Sequence, residues 1–238
     1  MGAIISCCKQ ANPQDVEFVE MHNGITKAEY EAAVEQLAAW FPEDAERLHR
    51  DKAQVVTHVC NLTEPADDSI LREKLAARPF ENPLLMESAD DLTPCHWAIL
   101  EFLVQGAFFV LSLLGLKVFM QSKGIVNTLA RSIDPTRIRA FSQLIKDFKS
   151  APDGLSKAKS LFQIMSGFSK VGGFNAVLEA LRETMSAWQW VFTGVVAVAQ
   201  VTAWFATGGT AFVAKAALSI MSAFELGLAA DKVFDECF

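Results

Sequence analysis

The sequence predicts an all-α fold: a multi-helix bundle of amphipathic helices around an apolar helical hairpin near the C-terminus. Apolar residues recur at helical spacing along most of the 238 residues, and no stretch sustains the apolar–polar alternation of a half-buried strand. Residues 184–214 contain no ionisable side chain at all. The chain is 51% hydrophobic with a mean hydropathy of +0.23, greasier than an ordinary soluble domain, so contact with a membrane is expected. The expected organisation is a flexible tail at 1–25, an acidic helical segment at 26–78, a linker at 79–93 and a membrane-active helical segment at 94–238 that contains the hairpin at 187–230.

The first helix is announced by Thr26-Lys27-Ala28-Glu29, a capping box, after which Tyr30, Val34, Leu37 and Phe41 recur on one face until Pro42 stops the run. A second helix is expected from about 43 to 60, with Leu48, Val55, Val56 and Val59 on one face, and a shorter one near 67–77. Thr93 as N-cap and Pro94 at the first helical position open a helix whose body, Trp97 to Met120, is almost wholly apolar and about long enough to cross a bilayer. Asp134-Pro135 starts a cationic helix with the stripe Ile138, Phe141, Leu144, Ile145 and Phe148. A second cationic helix near 154–170 carries Leu155, Leu161, Phe162, Met165 and Phe168. The hairpin turn falls at Thr207-Gly208-Gly209-Thr210, and its arms, near 187–206 and 211–230, are rich in small residues that let helices approach closely. Tight packing of one arm on the other is expected.

Charge is unevenly laid along the chain. Residues 10–101 carry 19 acidic and 7 basic side chains, whereas 117–170 carry 10 basic and 3 acidic. The two regions either pair across a fold or the basic one faces an anionic membrane, with Arg137, Arg139, Lys146, Lys149, Lys157 and Lys159 toward the headgroups. If 97–120 crossed a bilayer, those cations would go to the far side, against the positive-inside tendency. The hairpin is then the segment free to insert.

The chain opens MGAIISCCKQ, which matches the myristoylation pattern at Gly2 and sets Cys7 and Cys8 where palmitoylation would supply a second anchor. The expected location is the cytosolic face of a membrane. Cys60, Cys95 and Cys237 are scattered without repeated spacing, so free thiols are expected, with no disulfide framework and no metal site.

Several amphipathic helices around one uncharged, Ala/Gly-rich hairpin resemble in layout the pore-forming domains of colicins and, more loosely, the Bcl-2-type proteins. The resemblance covers about 150 residues and implies an all-α fold that inserts its hairpin into membranes. It carries over no functional residue, and the acylation motif departs from colicins.

Nothing in the sequence matches a phosphate-binding loop, a dinucleotide fingerprint, a zinc-protease helix or a nucleophile elbow, and His22, His49, His58 and His96 have no nucleophile partner. A non-enzymatic protein without a cofactor is expected, its partners membrane lipids of anionic character, with no nucleic acid and with oligomerisation in the membrane open. Two alternatives stand beside this reading. One is an anchored interaction module whose acidic N-terminal helices recruit a protein partner while the hairpin is permanent core or anchor; the other is a small integral membrane subunit.

Overall fold

The computed structural model describes residues 25–61, 92–114 and 122–238; of these, 88% are helical and none is in a strand. In chain order the helices are α1 (Lys27–Trp40), α2 (Ala45–Asn61), α3 (Pro94–Leu113), α4 (Ser122–Ser132), α5 (Pro135–Arg139), α6 (Phe141–Ser150), α7 (Gly154–Lys170), α8 (Gly173–Thr184), α9 (Ala187–Ala206), α10 (Thr210–Ser219) and α11 (Phe224–Cys237), with 3₁₀ turns at Pro42–Asp44 and Ile220–Ser222. The lipidation residues Gly2, Cys7 and Cys8, the helix expected at 67–77 and most of the 79–93 linker lie outside the described residues. The helices fall into two compact units: 25–61 with 185–203, and 92–114, 122–184 and 204–238 together.

The first unit begins where the capping box places it. The Glu29 N–H donates to the Thr26 hydroxyl at 3.2 Å, and the Thr26 N–H donates to the Glu29 carboxylate at 2.6 Å, so two otherwise orphaned donors are satisfied. Pro42 cannot continue α1 and instead opens the 3₁₀ turn into α2. Val34, Leu37, Leu48, Val55 and Val59 are fully buried, and residues 187–203 of α9 complete this core. Trp190 stacks edge-on against Phe41 at 5.0 Å, while His58 meets Trp188 and Phe192 at 5.9 and 5.6 Å. Each large side chain buried here is worth about 1.5–3 kcal/mol. The acidic helices find cations among themselves: Glu35 accepts from Lys52 at 2.8 Å and lies 3.0 Å from His49. The Lys52 hydrogen bond holds the Glu35 carboxyl below its ordinary pKa. This stabilisation is present at neutral pH and is lost as pH falls through the carboxylate range.

In the second unit α3 is packed by α4, α5, α7 and α11. Ile99, Leu100, Phe102, Leu103 and Val104 are all fully buried, as required of a helix apolar on every side. Thr93 caps it, and His96 takes the place of the usual Glu: its Nδ1 accepts from the Thr93 N–H at 3.1 Å. The expectation of free thiols is corrected here. Cys95 at the start of α3 and Cys237 at the end of α11 form a disulfide, with Cα atoms 4.9 Å apart, and Cys60 is disulfide-bonded as well. Lys232 on α11 reaches the Glu101 carboxylate on α3, so one helix pair is joined both covalently and by charge.

The hairpin's second arm also differs from expectation. It is two helices, α10 and α11, bent by 82° at a break around 220–223. Serine hydroxyls compete with the backbone at this point: Ser222 Oγ donates to the Ser219 carbonyl at 2.8 Å, tightening the last turn of α10 into a 3₁₀ form. Within the second unit α10 packs on α7, and α11 packs on α3 and α6. The approach of α10 is close enough that a Cβ at Gly154 would lie 2.5 Å from the Ala217 carbonyl oxygen.

Candidate membrane interface

Among the described residues, two helices are long and apolar enough to cross a membrane: Pro94–Leu113 and Ala187–Ala206, each of 20 residues. At 1.5 Å per residue either is about 30 Å long, the thickness of a bilayer's hydrocarbon core. They differ in charge. Helix α3 contains Glu101, which sits outward with Lys232, while α9 has no ionisable side chain from end to end. Trp188 and Trp190 stand at one end of α9 and Trp204 at the other, about 24 Å from first to last by the helical rise, which is the spacing of tryptophans at the two faces of a bilayer. In the folded chain both helices are mostly covered, with 67% and 61% of their apolar windows buried.

The structure places Gly208 and Gly209 in the turn between α9 and α10, with φ of 64° and 80°. The Gly209 N–H donates to the Trp204 carbonyl at 2.8 Å and the Gly208 N–H to the Phe205 carbonyl at 3.2 Å, the two bonds of a Schellman motif that closes α9. An aromatic group holds this turn on α7. Phe162 lies 5.7 Å from Phe205 and 5.8 Å from Phe212, and Trp204 meets Phe212 at 5.2 Å. Gly209 is fixed twice over, by its left-handed backbone and because a Cβ would come within 2.5 Å of the Phe162 ring.

The six cations singled out for a membrane surface divide evenly. Arg137, Arg139 and Lys159 are exposed. The other three are engaged with the second unit: Lys146 lies over the Phe238 ring at 4.2 Å, and Lys149 over Phe234 at 4.1 Å and 3.1 Å from Asp231. Lys157 donates to the Phe148 and Lys149 carbonyls that end α6, the favourable place for a cation at a helix C-terminus. The stripe between these cations points inward, with Ile138, Phe141, Ile145 and Phe148 buried. The helices begin at capping carboxylates. Asp134 is held below its ordinary pKa by the Thr136 hydroxyl, and Asp153 by the Ser156 N–H.

Sequence reasoning did not find a different set of residues. Leu218, Met221, Phe224 and Leu228 belong to the arm expected to be packed or in lipid, yet they stand exposed at the break between α10 and α11. A period-3.6 pattern cannot mark them, because an apolar stripe is read as the buried face of a helix. Among the described residues, no group of three His, Cys, Asp or Glu side chains is placed to hold a metal ion. No protein-family model, curated protein or solved structure matches the chain.

Proposed function

We propose that this chain is a non-enzymatic, membrane-associated protein that keeps α9 folded within its first unit and releases it into a bilayer, permeabilising or remodelling the membrane. The observation that carries this reading is α9 itself, a full membrane thickness of uncharged helix with tryptophans at both ends and a capped glycine turn behind it. The two cations and the carboxylates of α10 and α11 then remain outside the inserted segment. The second reading, an anchored interaction module with α9 as permanent core, is favoured by the burial of Trp190, Val195 and Val196.

A tether separates the two. A Cβ built at Gly194 lies 3.7 Å from Leu37 Cγ, roughly where the sulfur of a cysteine at 37 would sit, so Leu37→Cys with Gly194→Cys can join α9 to α1. Dye release from vesicles is expected to be absent with the tether closed and to appear on reduction, with wild type treated with the same reductant as the control for the native bridge. Release that is equal with the tether open or closed favours α9 as permanent core, as does no release from the wild type.

In this reading, a myristoyl group at Gly2 and a second acyl group at Cys7 or Cys8 hold the protein on the cytosolic face, and Arg137, Arg139 and Lys159 favour anionic lipid. A Gly2→Ala variant expressed in a eukaryotic cell is expected to move largely from the membrane to the soluble fraction, since one acyl chain alone gives only marginal binding and the second follows the first. Unchanged fractionation removes the anchor from the scheme.

A further inference from the structure

We infer that the elbow between α10 and α11 is a membrane-docking surface, an apolar knuckle that enters the headgroup boundary of a lipid bilayer while the protein is still folded. The inference rests on the membrane role proposed above and names the part of the chain that makes first contact.

Leu218 is 89% exposed, Phe224 71%, Met221 63% and Leu228 48%. All four lie within residues 218–228: Leu218 at the end of α10, Met221 in the 3₁₀ turn that follows, and Phe224 and Leu228 a turn apart at the start of α11, while Gly154, next to half-exposed Leu155, approaches Ala217 and Met221 closely. A monomeric soluble protein rarely leaves such a cluster uncovered.

Three features identify lipid as the occupant. First, side chains as exposed as Leu218, Phe224 and Met221 project from the surface rather than line a groove; a fluid bilayer conforms to a protrusion, whereas a partner helix needs a groove. Second, Thr210–Ser222 and Phe224–Cys237 taken together are apolar enough to be a membrane segment and are bent as a re-entrant element is. Third, several of the elbow's backbone groups are bonded within it, which lowers the cost of entering a water-poor layer. The Ser219 carbonyl accepts from Ser222 Oγ, the Ala223 N–H donates to the Ile220 carbonyl at 3.3 Å, and the Gly227 N–H to the Ala223 carbonyl at 3.1 Å. The rim mixes signs, with Lys157 and Lys159 near Leu155 but also Asp153 and Glu225. Docking is therefore driven by apolar contact, and neutral vesicles suffice.

The test is sedimentation of the full chain with phosphatidylcholine vesicles, wild type against the double variant Leu218→Asp, Phe224→Asp. Both positions are open to solvent, so the fold is retained, which an unchanged circular dichroism melt verifies. The variant is expected to bind at least tenfold more weakly. Binding within twofold of wild type overturns the inference. It is equally overturned if wild type ignores vesicles but self-associates in a way the variant abolishes, since the elbow then meets a second copy of the chain. Dye release per bound molecule separates this inference from the function proposed above. Equal release from bound wild type and bound variant leaves insertion intact with the elbow as its dock, and no release from either removes insertion while the elbow's binding stands.

Discussion

Replacing Cys237 with serine, or reducing the Cys95–Cys237 bridge, is expected to lower the unfolding free energy of the second unit by about 2–5 kcal/mol. The bridge closes a span of 142 residues between the first turn of α3 and the end of α11. The chain-entropy estimate for a loop of this length is about 5 kcal/mol, and losses in real domains fall at or below that figure. With the bridge open, α11 is held to α3 by its buried face, Leu226, Ala229, Ala230 and Val233, and by the partly exposed pair of Lys232 with Glu101. Urea denaturation followed by circular dichroism, wild type against Cys237→Ser, is the measurement, because a reductant also opens the bridge at Cys60. A lower midpoint at unchanged slope is the expected result. Superimposable curves mean that the two thiols are not joined in solution. The result also bears on where the protein works, because such bridges persist in oxidising compartments and are rare in the cytosol.

Trp190→Ala is expected to cost the first unit about 3–5 kcal/mol, the range for deleting a buried large aromatic side chain. Trp190 is 1% exposed and meets Phe41 edge-on, so its loss empties the space between α9 and the end of α1. The cavity forms on the helix proposed to leave the fold. The variant is therefore also expected to release vesicle dye at lower temperature than wild type. Chemical denaturation gives the first quantity and a temperature series of leakage the second. A loss below about 1 kcal/mol would show that residues 187–203 do not form the core of this unit.

What was legible in the sequence was local. Thr26 with Glu29, Thr93 with Pro94, and Asp134 with Pro135 mark helix starts because a cap acts within four residues. Pro42 marks a stop for the same reason. The inward stripe of α6 follows from a period that any fold must bury. The Cys95–Cys237 pair was not legible, since two cysteines at opposite ends of a unit have no spacing that betrays them. Nor were the neighbours of α9. A helix apolar on all sides carries no stripe to indicate its partner, and no spacing in the sequence points to Leu37 and Phe41. The break at 220–223 was not legible because it contains no glycine or proline.

The assembly of the first unit from residues 25–61 and 185–203 has a consequence for the order of events on the ribosome. Helices α1 and α2 are made early, yet the strip formed by Val34, Leu37 and Val59 waits for its third helix through more than a hundred further residues. At roughly 5–20 residues per second this delay is on the order of ten seconds. Throughout it α1 and α2 present an apolar face to whatever is nearby, and when α9 emerges it has two destinations of comparable appeal, that waiting face and any adjacent bilayer. Under the function proposed above, which one it reaches depends on the place of translation as well as on the finished fold, so chains made on free ribosomes and chains made against a membrane are expected to end in different states from one sequence.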